Sequence, residues 1–177
     1  MKRTRLAGAV LAICVGASAA HAQSPWSLNI AAGASIPAGD LANRVSAGWH
    51  GLATVNLSSP TQVYGLRFDL DYNRFGYAAT SGVGRLTTTS GTVNLTYRLP
   101  MIDSPISPYL ITGLGAYVTE CSAATGCGTA AHYGWNIGLG TKLYVLGLRS
   151  FLEARYHRTG FHGTSVHYFP ITLGITL

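Results

Sequence analysis

The sequence predicts an all-β fold: one eight-stranded antiparallel up-and-down transmembrane β-barrel, following a cleaved signal peptide. Three observations predict it. Period-two alternation of apolar and polar residues runs through nearly the whole chain after residue 22. Only 10% of residues are charged, and the mean hydropathy is +0.24. No segment after the first 22 residues is long and apolar enough for a spanning helix. Alternation places one strand face in an apolar medium and the other in a polar one. A soluble domain carries about a quarter charged residues, so something other than water covers much of this surface. Lipid cannot satisfy free backbone N–H and C=O groups, so strands that enter it must close on themselves.

Residues 1–22 read as an export signal. Lys2, Arg3 and Arg5 form a positive start, Leu6 to Ala20 an apolar stretch, and Ala20-His21-Ala22 a small-x-small cleavage pattern. The stretch is shorter than the roughly 20 residues a spanning helix needs. Cys14 opens a lipoprotein reading, but bulky Ile13 stands where such signals want a small residue. Residues 23–177 then form a single barrel domain. Of 12 Lys+Arg and 6 Asp+Glu, the signal removes three cations and leaves a modest, dispersed positive excess. There is no basic run, which argues against nucleic acid as a partner. Lys142 is the one lysine left.

The strands are expected at about 26–36, 46–57, 62–73, 86–99, 108–119, 131–144, 148–158 and 166–177. The last is the clearest, with Phe169, Ile171, Leu173, Ile175 and Leu177 alternating with Pro170, Thr172, Gly174 and Thr176. Connections alternate in length. Those near 58–61, 100–107 and 145–147 are short or proline-rich; those near 37–45, 74–85, 120–130 and 159–165 are longer and polar. Short periplasmic turns, longer outer loops and periplasmic termini are what an even-stranded outer-membrane barrel requires.

Aromatic residues fall at two levels. Tyr64 and Tyr72 in strand three are eight residues apart, and Tyr109 and Tyr117 in strand five repeat that spacing. Eight tilted residues rise about 20 Å, close to the apolar band of about 25 Å. Trp26 and Tyr97 join the periplasmic level, and Trp49, Tyr133, Trp135 and Tyr156 the outer one. The structural rival is a secreted soluble barrel of the lipocalin kind. Its polar faces would be the outer coat, where lysine should be common. Here they read Arg67, Asp69, Asp71, Asn73 and Thr92, Asn94, Thr96, Arg98, which with the glycines fit a narrow lumen better.

Five segments stand out together: Tyr72-Asn73-Arg74-Phe75, Pro108 to Tyr117, Gly134 to Gly140, Phe151 to His157 and the ending Phe169 to Leu177. In their order and spacing the chain resembles the small outer-membrane β-barrel domain family, the eight-stranded porin-like and opacity-type proteins. The resemblance implies a location in the bacterial outer membrane, with both termini periplasmic. It also implies passage through the export and barrel-assembly machineries. Such barrels commonly end on an aromatic residue, where this chain has Leu177. The family is functionally mixed, and fold does not fix function.

By strand parity Arg67, Asp69, Asp71, Arg98, Lys142, Arg149, Glu153 and Arg155 point inward. They form either a plug of ion pairs or the lining of a narrow anion-favouring pore; eight strands leave little free bore. Cys121 and Cys127 are the cysteines of the exported chain, in an oxidising compartment, and read as a disulfide that stiffens an outer loop. His50, His132, His157, His162 and His167 all map to the outer end, without ligand spacing on any one strand, so no metal site is assigned. His157-Arg158-Thr159 resembles the His-x-Ser of outer-membrane lipid A deacylases, but Thr replaces Ser and no acid follows in the last strand. No catalytic residue and no cofactor is assigned, and the chain is not expected to be an enzyme. Arg44, Arg74, Arg85 and Arg158 lie near outer loops, where guanidinium groups can bridge lipid phosphates.

The expected function is therefore structural or surface-interacting, exerted through the outer loops. A narrow porin-like channel for small solutes is the alternative, and a membrane-embedded lipid A-modifying enzyme the third. The partners are membrane lipids including lipopolysaccharide, the assembly and export machinery, and an extracellular ligand or surface.

Overall fold

The computed structural model describes residues 26–58, 62–77, 84–100, 106–123, 128–161 and 163–177. The export signal, Cys127 and His162 lie outside the described residues. Eight strands follow in chain order: β1 Trp26–Ala38, β2 Val45–Leu57, β3 Tyr64–Tyr77, β4 Gly84–Arg98, β5 Ser107–Ala123, β6 Thr129–Val145, β7 Leu148–Phe161 and β8 Thr164–Thr176. Each pairs antiparallel with the next, and β8 pairs with β1 to close the barrel. Closure gives every strand two neighbours, so no ladder edge faces the surroundings.

Trp26 and Leu177 lie at one end, with the β2–β3, β4–β5 and β6–β7 connections; this is the turn end. The β6–β7 connection is only Leu146-Gly147, with φ of 52° and 81°. Two positive φ values are what a type I′ hairpin turn requires, and a leucine carries the first of them. At the opposite, loop end, the β1–β2 connection forms a short 3₁₀ helix, Gly39–Asn43, that buries Leu41.

β3, β5 and β7 extend to Tyr77, Ala123 and Phe161, three or four residues past the ends expected from alternation. The ladder continues there while the contrast between media fades. Above the apolar band the outward face turns polar while the inward face meets apolar groups such as Phe75, so an outward Arg74 stays paired in the sheet without the expected alternation.

The barrel is polar inside and apolar outside. Buried residues include Arg67, Asp69, Asp71, Asn94, Asn136 and Glu153, whereas Leu70, Leu114, Leu139 and Leu173 are each about three-fifths exposed or more. A soluble barrel distributes these types the other way round. The outward leucines, with Phe68, Ile137 and Ile171, form a band suited to hydrocarbon. Aromatic pairs flank it. Tyr64 and Tyr97 lie with ring centroids 5.1 Å apart toward the turn end; Trp49 and Tyr72 are 5.4 Å apart and Trp135 and Tyr156 5.5 Å apart toward the loop end. Trp26 and Tyr133 also face outward.

Tyr109 and Tyr117 do not belong to these girdles. Both point into the lumen and are buried. On β5 the outward register is Leu110, Thr112, Leu114, Ala116 and Val118. The inward register is Tyr109, Ile111, Gly113, Gly115 and Tyr117. Both registers are largely apolar, so alternation alone does not separate them. Their neighbours on β6 do: a Cβ at Gly140 would lie 2.5 Å from the Tyr109 ring, and one at Gly134 2.7 Å from that of Tyr117. The glycines leave room on the inside wall for two large rings.

Candidate functional site

The lumen is the feature with concentrated chemistry, and its contents change with depth. At mid-height lies an ion cluster built from two strands. Arg67 on β3 pairs with Asp69 at 2.8 and 3.0 Å and with Glu153 at 2.7 and 2.9 Å, two forked contacts from one guanidinium. Arg155 on β7 reaches Asp69 at 2.8 Å, and its Nε lies 2.8 Å from Glu153 Oε1, an ion pair without hydrogen-bond alignment. Two cations and two carboxylates thus alternate around a closed ring.

Neutral donors complete the ring. The Tyr109 hydroxyl donates to Glu153 at 2.6 Å, and Asn94 Nδ2 donates to Asp69 at 3.0 Å. Asn136 donates to Asn94 Oδ1 at 2.8 Å. Buried charge costs free energy unless it is both paired and hydrogen-bonded. Here both conditions hold, and the ring fills the bore.

Toward the loop end the lumen holds a polar cluster beneath an apolar lid. Asp71 accepts from Asn73 at 2.9 Å and lies 3.3 Å from His50 Nδ1. Ser35 hydrogen-bonds Asn73. His157 Nδ1 lies 3.1 Å from the Tyr117 hydroxyl, and its ring stacks on Tyr168 at 5.0 Å. His50 and His157 therefore do not sit at a wet rim, as their place in the sequence implies; each is buried in the lumen. Of the others, His167 faces outward and stacks on Tyr156, and His132 packs near Gly160. Among the described residues no group of His, Cys, Asp and Glu is arranged to hold a metal ion. Thr159, of the His157-Arg158-Thr159 segment, is buried, and the hydrogen bond of His157 goes to a tyrosine rather than an acid.

Leu41, Val45, Phe75, Leu86, Val166 and Tyr168 form the lid, with Phe75 and Tyr168 in an edge-on contact at 5.6 Å. Cys121 packs against it. The 3₁₀ helix delivers Leu41 to this cluster from the β1–β2 connection.

Toward the turn end the lumen opens into a cavity of about 310 Å³. Arg98, Lys142 and Arg149 line it, and Tyr109 and Phe151 form its inner end. These three cations share the inward register of the ring but do not join it. Arg98 instead donates to the Gln62 carbonyl at 3.1 Å.

Sequence parity brings Arg67, Asp69, Asp71, Glu153 and Arg155 to the lumen, but it does not find the two tyrosines, His50 or Tyr168. A signal for the tyrosines is present: Tyr109 and Tyr117 share parity with Gly113 and Gly115, and small residues mark the inner wall of a narrow barrel.

No family model matches the sequence, and no curated protein matches it. Solved structures do. Neisserial surface protein A matches with a TM-score of 0.65 and 17% identity, covering 87% of this chain and 97% of that one. The attachment invasion locus protein Ail of Yersinia pestis matches at 0.53 and 16%, covering 86% and 97%. The N-terminal β-barrel domain of Pseudomonas aeruginosa OprF matches at 0.51 and 15%, covering 85% and 97%. At these identities the likeness is one of fold: each spans nearly all of the matched barrel.

Proposed function

We propose that this chain is an integral protein of the bacterial outer membrane that acts at the cell surface through its loop end, as a closed scaffold and not as an enzyme. The observation that carries this reading is the double closure of the lumen. The Arg67–Asp69–Glu153–Arg155 ring blocks it at mid-height, and the Phe75–Tyr168 lid covers it above. A solute path through the barrel would have to open both. The likeness of fold to Neisserial surface protein A and to Ail supports a surface role. In this reading the turn end and both termini face the periplasm, and the chain arrives through the export and barrel-assembly machineries.

Three exposed arginines give the loop end a partner. Arg74 follows the outer-level Tyr72 by two residues on the outward face, Arg158 follows Tyr156 in the same way, and Arg85 faces outward at the start of β4. Across the ladder Arg74 stands opposite Trp49 and Arg158 opposite Trp135, so both sit at the outer aromatic level, which borders the lipid headgroups where forked guanidinium donors match phosphate. Lipopolysaccharide phosphates are therefore the partner assigned to this belt, with Arg44 in the neighbouring connection. A Cys121–Cys127 disulfide belongs to the same surface as a brace for the third loop.

The test is single-channel recording on refolded protein, after the boiled-versus-unboiled gel shift confirms insertion. Silence is expected. Regular conductance steps abolished by a bulky residue in the bore would make transport the function instead. In parallel, R74Q/R85Q/R158Q should weaken co-sedimentation with lipopolysaccharide vesicles about tenfold and leave the gel shift unchanged.

A further inference from the structure

The loop end carries one surface unit twice, and we infer that each copy is a docking site for the phosphorylated sugar headgroup of an outer-leaflet glycolipid. Only the surface reading proposed above turns the loop end outward, so both sites rest on it. In the first unit Trp49 of β2 stands opposite Arg74 of β3. The Trp49 ring lies 5.4 Å from that of Tyr72, two residues nearer the turn end than Arg74. In the second unit Trp135 of β6 stands opposite Arg158 of β7. The Trp135 ring lies 5.5 Å from that of Tyr156, again two residues nearer the turn end than the arginine. The strands of one unit are four places from those of the other in a ring of eight, so the units sit on opposite sides of the barrel. All six side chains share the outward register; Tyr156 is half-buried and the other five are exposed.

An aromatic belt alone does not account for this arrangement. Indole and phenol rings favour both interfaces of an outer-membrane barrel. The turn end accordingly has a contacting pair of its own, Tyr64 and Tyr97, 5.1 Å apart. There Tyr64 pairs with Tyr97 and Tyr97 with Leu110, so no cation shares their rung. At the loop end both ring pairs have an arginine on the rung of the tryptophan. Neither arginine meets a carboxylate along that rung: Arg74 lies between Trp49 and Thr87, and Arg158 between Trp135 and His167. The forked donors are thus set beside the rings and directed at the headgroup layer.

The occupant follows from the two kinds of group. A guanidinium fork matches two oxygens of a phosphate. Two contacting rings offer a broad apolar face with polar tips, and the C–H face of a pyranose lies flat on such a surface. A phosphate held beside a sugar ring is the headgroup of a phosphorylated glycolipid. A glycerophospholipid supplies the phosphate but no ring, so it meets only half of the unit.

The experiment is native mass spectrometry of the refolded full-length barrel released from detergent. Diphosphoryl lipid A is the probe, and phosphatidylglycerol the comparison lipid. Two bound lipid A molecules per barrel are expected at a concentration that just saturates the protein. At that concentration R74Q and R158Q should each lower the count to one, and R74Q/R158Q to none. W49L/W135L keeps both cations and removes the indoles; it should weaken lipid A binding about tenfold and leave phosphatidylglycerol binding unchanged. K142Q/R149Q at the turn end should leave the count at two. The gel shift confirms that each variant is folded. Lipid A binding without a fixed count, a count that also falls by one in R85Q, or equal weakening of both lipids in W49L/W135L would show a continuous cationic belt. Any of these overturns the two-unit assignment and leaves the surface reading in place. Absence of lipid A binding, together with lipopolysaccharide co-sedimentation that R74Q/R85Q/R158Q does not weaken, overturns both.

Discussion

Above the Arg67–Glu153 pair the lumen is filled by imidazole, phenol and aliphatic groups that touch one another; below it the same eight strands leave about 310 Å³ of space edged by cations. Both halves face inward from one sheet, so register does not explain the difference. Side-chain size and charge pairing do. The loop-end half is built from rings, among them Phe75, Tyr117, His157 and Tyr168, and the buried carboxylate of Asp71 is supported there by His50 and Asn73. The turn-end half has small residues such as Asn29, Asn56 and Ser150 on its walls and long flexible cations at its mouth. One half is organised to exclude water and the other to admit it, and the ion ring is the partition between them.

The strongest way to break this contrast is to remove the partition. Glu153→Ala leaves Arg67 and Arg155 sharing the single carboxylate of Asp69 while fully buried. A loss of about 3–5 kcal/mol is expected, because one partner of a buried ionic network is missing; urea titration of the refolded barrel measures it. Replacing the whole ring with apolar residues of similar volume should cost far less, which distinguishes uncompensated charge from lost packing.

The two halves should then respond unequally to truncation. Phe75→Ala opens a cavity in the lid and should cost about 3 kcal/mol. K142Q/R149Q removes two charges from an open mouth and should stay within about 0.5 kcal/mol. Equal effects in the same urea experiment would show that the turn-end cavity is as structurally committed as the lid.

A smaller effect is expected from reduction of the proposed Cys121–Cys127 bond, which braces the loop end alone. Closing so short a loop contributes about 2–3 kcal/mol at most, so dithiothreitol should speed protease clipping near residues 121–127 without unfolding the barrel. The smallest lies at the other end. Leu146→Asn places a residue that tolerates the left-handed region where the hairpin needs one, and should stabilise the barrel by about 1 kcal/mol.

How much of this was readable in the sequence depended on the contrast between media. β3 and β8 carry charged or polar residues on one face and large apolar ones on the other, so their parity followed from the residues alone. β5 offers tyrosine, isoleucine and glycine on one face and leucine, threonine and alanine on the other. Hydropathy does not orient such a strand; only bulk against the opposing β6 glycines does. The strand ends above the apolar band were hidden for a related reason, since there the outward face turns polar while the inward face meets the apolar lid. The partition was half legible. Parity brings its four charges inward, but the pairing of Arg67 with Glu153 depends on which strands stand across the bore. The lid was not legible, because Leu41 reaches it from a connecting segment with no period at all.

That pairing also has a bearing on how the barrel is made. Arg67 and Asp69 come from β3, Glu153 and Arg155 from β7, four places away in a ring of eight and so diametrically opposite. The bonded residues are 86 positions apart in sequence. No hairpin and no partial sheet can bring them together; they meet only when β8 finds β1. Until then Arg67 can pair with Asp69 on its own strand and Arg155 with Glu153 on its own, but the contacts across the bore are unmade. A seam joined out of register would alter the stagger across the bore and strand those charges dry and unmatched. The cross-bore contacts thus belong to the closed, in-register barrel alone, and their stabilisation is added only at the last step.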